Sequence, residues 1–151
     1  MKVTVHFTDE AGTAWQEDFF AQVTEETLKR CPLPSLHEKK EVTLNAIVVS
    51  EEKIRELNKT YRNKDKVTDI LSFGEYSDTA AFEADTGKKI FLGELFFCHD
   101  FITVAAKEDA VTAEHEMIYV FSHGVLHLLG YDHGDEMFAI QDAVTEQLRK
   151  E

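Results

Sequence analysis

The stretch Val42-Thr43-Leu44-Asn45-Ala46-Ile47-Val48-Val49-Ser50-Glu51-Glu52-Lys53 does most to decide the fold. Its first eight residues are rich in β-branched side chains, which favour a strand. Ser50 is a good N-cap, because its hydroxyl can accept a backbone hydrogen bond at the start of a helix. The chain is therefore predicted to pass directly from a strand into a helix that ends near Thr60.

Weaker patterns on either side of this stretch predict the remaining elements. Alternating apolar residues indicate strands, and apolar residues at a helical spacing indicate helices. The first helix is expected to end before Pro32 and Pro34. An acidic, glycine-containing connection at 75–89 joins two strands, and we expect it to be mobile. The expected elements are strands at 2–8, 42–49, 70–73 and 90–97, and helices at 14–30, 51–60, 101–110, 113–129 and 135–150.

This order of elements favours one sheet with helices packed against it, without fixing the strand order. A chain of 151 residues, 43% of them hydrophobic, can build one ordinary core, so we expect a single domain over residues 1–151. The two cysteines, Cys31 and Cys98, lack a metal or redox spacing and are typical of a reducing compartment. No segment approaches the roughly 18–20 apolar residues that span a membrane. We therefore expect a cytoplasmic protein with no membrane partner.

The net charge of −13 argues against general nucleic-acid binding, because neutralising phosphates requires positive charge. The charge is unevenly spread, however, and residues 53–66 carry six of the sixteen basic residues against two acidic ones. A local basic edge on an acidic body could steer RNA into a cleft while keeping non-specific binding weak. An ordinary solvated helix face is the alternative interpretation. The candidates for phosphate contacts with a nucleic acid in this segment are Lys59, Arg62, Lys64 and Lys66.

The segment His123-Gly124-Val125-Leu126-His127-Leu128-Leu129-Gly130-Tyr131-Asp132-His133 holds three of the seven histidines. His123 and His127 are four residues apart, so a helix places both on one face. Gly130 suits the left-handed turn that ends a helix, and this turn can return His133 toward the other two. The helix is apolar almost all round, which indicates burial, and buried imidazoles need partners. The spacing therefore predicts a metal site.

Three histidines without cysteine favour a catalytic site, since structural zinc sites usually have four ligands and often use thiolates. The spacing equals that of the long zinc-protease motif, in which a glutamate follows the first histidine as the general base. Gly124 occupies that position here, so a peptidase lacks its proton acceptor. The residue that accepts a proton stays open. Thr68, Asp69 and Ser72 are interpreted as structural residues that cap turns and orient neighbours.

Three motifs in order resemble the bacterial YbeY endoribonuclease family, also described as rRNA maturation factors. They are residues 57–73 (LNKTYRNKDKVTDILSF), Leu92-Gly93-Glu94 and the histidine segment, within a resemblance that covers roughly residues 41–150. The resemblance implies an α+β fold with a mixed sheet and the metal-bearing helix beside it, in the C-terminal half. Gly74 departs from the proline that the family commonly has there, and we expect this to alter a turn without affecting the metal site.

The resemblance also implies a function. It implies a zinc-dependent endoribonuclease, specific for single strands, in 16S rRNA 3′-end maturation and ribosome quality control. One Zn²⁺ per chain would bind His123, His127 and His133, and Arg62 would be the functionally important arginine. The expected partners are single-stranded RNA, rRNA and the small ribosomal subunit, through a ribosomal protein or a ribosome-associated GTPase, and not DNA.

Two other functions stay open at this point. The first is a metal-dependent hydrolase of a peptide or ester, and the second is a ribosome-binding factor whose metal is structural. Loss of protein cleavage on mutation of His127, without any activity on RNA, would favour the hydrolase. A large fall in melting temperature on removal of His133 would favour the structural metal.

Overall fold

The computed structural model describes residues 1–149, which form four strands and seven helices. The strands are β1 (Lys2–Asp9), β2 (Glu41–Val49), β3 (Ile70–Gly74) and β4 (Lys89–Cys98). The helices are α1 (Glu17–Lys29), α2 (Pro34–His37), α3 (Glu51–Arg62), α4 (Thr79–Glu83), α5 (His99–Glu108), α6 (Ala113–Leu128) and α7 (Asp135–Leu148). All the strands belong to one sheet, in the order β1-β2-β4-β3.

The sheet is mixed, as predicted. Strands β1, β2 and β4 run parallel, while β3 pairs antiparallel with β4 and forms one edge. The parallel pairs are connected through helices, as parallel strands require a crossover. The predicted α+β class is therefore confirmed, and the strand order, which sequence patterns left undetermined, places β3 at the edge of the sheet.

Each face of the sheet packs against helices, and the two cores differ in size. The larger core lies between the sheet and helices α1, α6 and α7 and includes Phe20, Phe97 and Phe121. The smaller core lies under α3, where Ile54 packs against Ile47 and other side chains of the opposite sheet face. Helix α6 contributes nine buried residues to its surroundings, so its burial is as the sequence predicts. This places the histidine helix directly on the sheet.

The first helix begins at Glu17, three residues later than predicted. The Asp9 carboxylate accepts hydrogen bonds from the backbone N–H groups of Ala11 and Thr13 and from the Thr13 hydroxyl, which fixes a turn there. Trp15 follows this turn and donates its indole N–H to Nδ1 of His99 at 2.8 Å. These side-chain contacts compete with helical backbone bonds, so the helix starts later.

The connection between β3 and β4 is packed rather than open. Asp78 caps the short helix α4 by accepting the N–H of Ala81 at 2.7 Å, and Phe82 is fully buried. The Tyr76 hydroxyl donates to Asp85 at 2.6 Å. The connection therefore packs on the core through Phe82 and Tyr76, whose rings lie 5.0 Å apart, while its expected mobility stays a prediction.

Three smaller points complete the comparison. Pro34 is the first residue of α2, a short helix that was not predicted because the two prolines indicate the end of a helix. Proline suits the first helical position, where its missing N–H is not needed. Gly74 is the last residue of β3 and pairs with Gly93, so the departure from proline lies at the end of a strand, and its effect on a turn stays a prediction. The predicted end of α7 at Lys150 lies outside the described residues. Within residues 1–149, no helix is long and apolar enough to cross a bilayer.

Candidate metal centre

Helix α6 carries two of the clustered histidines, and its end brings the third back toward them. The Thr112 hydroxyl caps the start of the helix by accepting the N–H of His115 at 3.0 Å. At the other end, Gly130 has a φ of +96°, and its N–H donates to the His127 carbonyl oxygen at 3.0 Å. The predicted glycine turn is therefore confirmed, and it returns the chain so that His133 meets the helix.

The ring nitrogens of the three histidines converge on one point. The Nε2 atoms of His123 and His127 lie 2.9 Å apart, and each is 3.2 Å from Nε2 of His133. A tetrahedral zinc ion, with Zn–N bonds of about 2.0–2.1 Å, requires nitrogens about 3.3 Å apart, which is close to this triangle. The three rings could therefore hold one metal ion, and three imidazoles without a thiolate suit a site that keeps one position open.

Two neighbouring groups orient these rings. The Tyr131 carbonyl oxygen lies 2.9 Å from Nδ1 of His127, and a carbonyl only accepts, so that nitrogen carries the proton. Gln141 acts in the same way on His123. Its Nε2 donates to the Tyr119 carbonyl oxygen, which turns Oε1 toward Nδ1 of His123 at 3.2 Å. In both rings the Nε2 lone pair therefore faces the centre, in the form that binds a metal.

Burial supports the same protonation state. Loss of hydration has the largest effect on both rings, and it lowers the pKa of His123 and of His127 from the ordinary value of 6.5. The nearby imidazoles lower both pKa values further, because two positive rings at this distance repel each other. Protons and metal ions compete for the same nitrogen atoms, so a lowered pKa favours metal binding near neutral pH.

Gln141 offers a test of this orientation, since its side chain is fully buried and contacts His123. We expect Gln141→Leu to weaken zinc binding by about 10- to 100-fold, because leucine fills a similar volume without accepting the imidazole proton. Competition with a chromogenic chelator measures the affinity. Thr145→Val, a buried substitution one turn further along α7, is the matched control and should leave zinc affinity unchanged. Equal affinities in the two variants would contradict an orienting role.

Helix α6 packs closely against the sheet at Gly124, the position at which the zinc-protease motif has its glutamate. A Cβ added to Gly124 would lie 2.6 Å from Cδ1 of Ile70 on β3 and 2.9 Å from Cδ2 of Leu95 on β4. Helix α6 therefore approaches the sheet closely at this position, and a longer side chain would enter the helix–sheet contact. Glycine at residue 124 suits this close contact and supplies no peptidase base.

A cavity of about 560 Å³ lies in front of the histidines and reaches the end of α3. Asn58 and Arg62 both line it, as residues four apart on one helix face should. Lys59 does not line it, because it lies about 100° around α3 from Asn58. The predicted site residues that the cavity brings together are Arg62, Lys64, Lys66, His123, His127 and His133.

Arg62 is held in place by neutral groups. Its Nη2 donates to the Ser72 carbonyl oxygen at 2.7 Å and its Nη1 to the Tyr61 carbonyl oxygen at 3.2 Å. The guanidinium also lies over the Phe73 ring, 4.6 Å from its centre. Within residues 1–149 no carboxylate forms an ion pair with it, whereas Arg55 on the same helix pairs with Asp65. The charge of Arg62 is therefore available to an anionic ligand.

Asn58 and Asp69 are among the cavity residues that were not assigned a site role from the sequence. Asn58 is buried, and its Nδ2 donates to the Lys66 carbonyl oxygen. Its backbone carbonyl oxygen accepts the N–H of Lys64, so Asn58 fixes the conformation of the basic loop. Asp69 was interpreted as structural, and its Oδ1 does accept the N–H of Ile70 at 2.6 Å. It also lines the cavity with the histidines. Two sequence signals could have indicated these residues. Asn58 is four residues before Arg62 on the same helix, and Asp69 follows directly after the basic loop.

Comparison with known proteins places this arrangement in a family. The family model for endoribonuclease YbeY matches residues 5–149. The endoribonuclease YbeY of Ureaplasma urealyticum serovar 10 is 34% identical over 148 residues, which cover 93% of this chain and 89% of that protein. The Ureaplasma parvum serovar 3 protein of the same name is 44% identical over 108 residues, or 67% of this chain. In that match the chain covers 64% of the relative, less than two thirds of its length.

A solved structure agrees with these matches. The solution structure of TM1509 from Thermotoga maritima superposes with a TM-score of 0.60 at 28% sequence identity, and the match covers 95% of this chain and 87% of that one. The resemblance read from the three sequence motifs is therefore confirmed over almost the whole described chain. With the family model extending from β1 to the end of α7, this chain belongs to the YbeY endoribonuclease family.

Proposed function

We propose that this protein is a zinc-dependent endoribonuclease, specific for single-stranded RNA, that acts in 16S rRNA 3′-end maturation and ribosome quality control. The observation that carries the proposal is one cavity in which three convergent imidazoles face an arginine without a carboxylate partner among residues 1–149. Family membership supports the reaction class, since relatives bear the name endoribonuclease. The rRNA role is inferred from the same resemblance.

In this proposal each group in the cavity has one task. His123, His127 and His133 hold the ion, which when bound supplies Lewis acidity toward a phosphate oxygen and toward water. Arg62 keeps free N–H donors after its two backbone contacts, and its planar guanidinium binds the scissile phosphate. The fixed positive charge offsets negative charge that develops on the phosphate during cleavage.

Asp69 is proposed as the proton acceptor. It is the one carboxylate that lines this cavity within the described residues. Its Oδ1 is occupied by the Ile70 N–H, so Oδ2 takes the proton from the attacking group. Attack by water leaves an open terminal phosphate, whereas attack by the substrate's own 2′-hydroxyl leaves a cyclic phosphate. Analysis of the product end groups separates these two routes.

The distribution of charge is consistent with weak, guided RNA binding. Lys64 and Lys66 line the cavity beside Arg62, and Lys59 lies outside it on the exposed surface of α3. These cations contact the phosphates on either side of the cleaved bond, while the net charge of −13 disfavours non-specific contacts elsewhere. RNA affinity therefore falls steeply as the salt concentration rises.

The proposal places the protein in the cytoplasm beside the small ribosomal subunit, with a ribosomal protein or a ribosome-associated GTPase as its contact. A peptidase is disfavoured, since Gly124 has no side chain to act as the proton acceptor that the protease glutamate supplies. A ribosome-binding factor with a purely structural metal is disfavoured by the open cavity and the unpaired arginine charge, because a structural site needs neither.

Metal analysis combined with an RNA cleavage assay tests the proposal. Protein purified without added metal or an affinity tag should contain about one zinc per chain by mass spectrometry. It should cleave single-stranded RNA and the unprocessed 3′ end of 16S rRNA, and it should leave a duplex of the same sequence intact. Cleavage of unfolded protein without cleavage of RNA would replace the proposal with a hydrolase of another substrate.

Arg62 provides the sharpest prediction within this proposal. Arg62→Lys keeps the charge but loses the planar fork and its contacts with Ser72 and Phe73, so we expect kcat to fall by about 10²- to 10³-fold. Zinc content and melting temperature should not change, because Arg62 is exposed. Arg55→Lys, an exposed substitution on the same helix, is the control and should cleave at the parent rate. Similar losses in both variants would contradict a specific role for Arg62.

A further inference from the structure

A second cavity begins on the far side of Arg62. It has a volume of about 340 Å³, and Arg62, Ser72 and Gly74 line both cavities. The two cavities therefore adjoin at these three residues. We call the second space the aromatic cavity and define it by Arg62, Phe73, Glu75, Phe91 and Glu94. A strand of RNA that lay in the histidine cavity and extended past Arg62 would reach the aromatic cavity next.

Two phenylalanine rings line this cavity, and one of them is exposed. Phe91 is 52% exposed, because it lies on the opposite sheet face to its buried neighbours Ile90 and Leu92, beyond the end of α3. Phe73, which is half-buried, also lines the cavity, and its ring meets that of the exposed Tyr61 at a centroid distance of 5.3 Å. Exposed aromatic rings beside a nucleic-acid channel are platforms on which unpaired bases stack.

The charges in the aromatic cavity favour a base over a phosphate. Glu75 and Glu94 line it, and Arg62, its one lining cation among residues 1–149, also faces the histidine cavity. Glu94 is oriented by Asn45, whose Nδ2 donates to Oε2 at 3.2 Å. Carboxylates repel phosphate oxygens but accept hydrogen bonds from the exocyclic amino groups of bases. Adenine, cytosine and guanine have such groups, whereas uracil presents carbonyl oxygens there.

We propose that the aromatic cavity binds an unpaired nucleobase next to the cleaved phosphodiester, and that it prefers bases with an exocyclic amino group to uracil. The exposed ring of Phe91 stacks on the base, and Glu94 accepts the amino hydrogen. This inference rests on the proposed function for the identity of the ligand as RNA. It adds a specificity site that neither the metal ligands nor Arg62 can provide, because those groups contact the backbone alone.

Binding of short fluorescent 2′-O-methyl oligonucleotides tests the site, with fluorescence anisotropy as readout on the zinc-loaded protein and gel electrophoresis to confirm that they stay intact. The parent should bind oligoadenylate and oligocytidylate about three- to tenfold more tightly than oligouridylate. Phe91→Ala should weaken binding to oligoadenylate by about five- to tenfold. Glu94→Gln should remove the preference over oligouridylate, because an amide also donates to carbonyl oxygens.

Phe101→Ala is the matched control, since Phe101 is an exposed phenylalanine on α5 that lines neither cavity. Unchanged affinity in Phe91→Ala and an unchanged preference in Glu94→Gln would overturn the nucleobase site. Cleavage of natural single-stranded RNA by the parent is measured in parallel. If the parent cleaves RNA and neither variant changes binding, the ribonuclease proposal stands and the nucleobase site is contradicted. If binding depends on the base but the parent does not cleave RNA, the nucleobase site stands and the ribonuclease proposal is contradicted.

Discussion

Replacing His127 by alanine is expected to abolish both metal binding and RNA cleavage while leaving the fold intact. His127 is one corner of the triangle of ligands, with Nε2 2.9 Å from that of His123 and 3.2 Å from that of His133. Two imidazoles cannot complete a three-ligand site, so zinc affinity and cleavage rate should each fall by more than about 100-fold. Mass spectrometry measures the zinc, and end-labelled RNA measures the cleavage.

The thermal response separates this result from unfolding. A ligand that binds only the folded state raises the melting temperature, so added zinc should raise that of the parent but not that of His127→Ala. His6→Ala is the control, because His6 is exposed on β1 and lines neither cavity. Zinc content close to the parent's in His127→Ala would rule out the three-histidine site. Cleavage that falls only with the folded fraction would support a structural metal instead.

Gly130→Ala is expected to have the largest effect on stability. A Cβ at this position would lie 2.2 Å from the carbonyl carbon of Asp78, which is backbone and cannot rotate away. Backbone strain at φ +96° adds about 1–3 kcal/mol and overpacking a further 1–3 kcal/mol, so the free energy of unfolding should fall by about 3 kcal/mol or more. Denaturant titration of the metal-free protein measures this loss.

Substitutions at two other glycines distinguish backbone strain from steric overlap as the cause of this loss of stability. Gly12 has φ +65° with nothing within 4 Å of an added Cβ, so Gly12→Ala should show strain alone, about 1 kcal/mol. Gly134 lies beside His133 with extended backbone, and its nearest atom would be 4.0 Å away, so Gly134→Ala should be almost neutral. A loss in Gly130→Ala no larger than in Gly12→Ala would show that the contact with Asp78 is unimportant. Zinc affinity should fall only in Gly130→Ala, because only that change displaces the turn leading to His133.

Local patterns predicted the parts of the site that depend on neighbours in sequence. Ser50 caps α3 as expected, accepting the N–H of Lys53 at 3.1 Å. The spacing of His123 and His127 and the turn at Gly130 were sufficient to bring three imidazoles together, because helix periodicity and the conformational freedom of glycine are local properties. The strand at residues 42–49 likewise followed from its β-branched residues.

The remaining features depend on contacts between distant residues. Gln141 reaches His123 only because α7 packs against α6, and no spacing in the sequence encodes that pair. Arg62 faces the histidines because β3 lies at the edge of the sheet beside α6, which the order of elements did not determine. Helical periodicity alone distinguishes Lys59 from Arg62, because only Arg62 is four residues from Asn58 and lies on the same face of α3.

The hydrogen bond from Arg62 to Ser72 also bears on solubility. Strand β3 is an edge strand, and an edge strand presents unpaired backbone groups to which a strand of another molecule can add. The guanidinium covers one of these groups, the carbonyl oxygen of Ser72, with a positive charge. The same contact that holds the arginine toward the cavity therefore also covers part of the edge of β3 against pairing with a strand of another molecule.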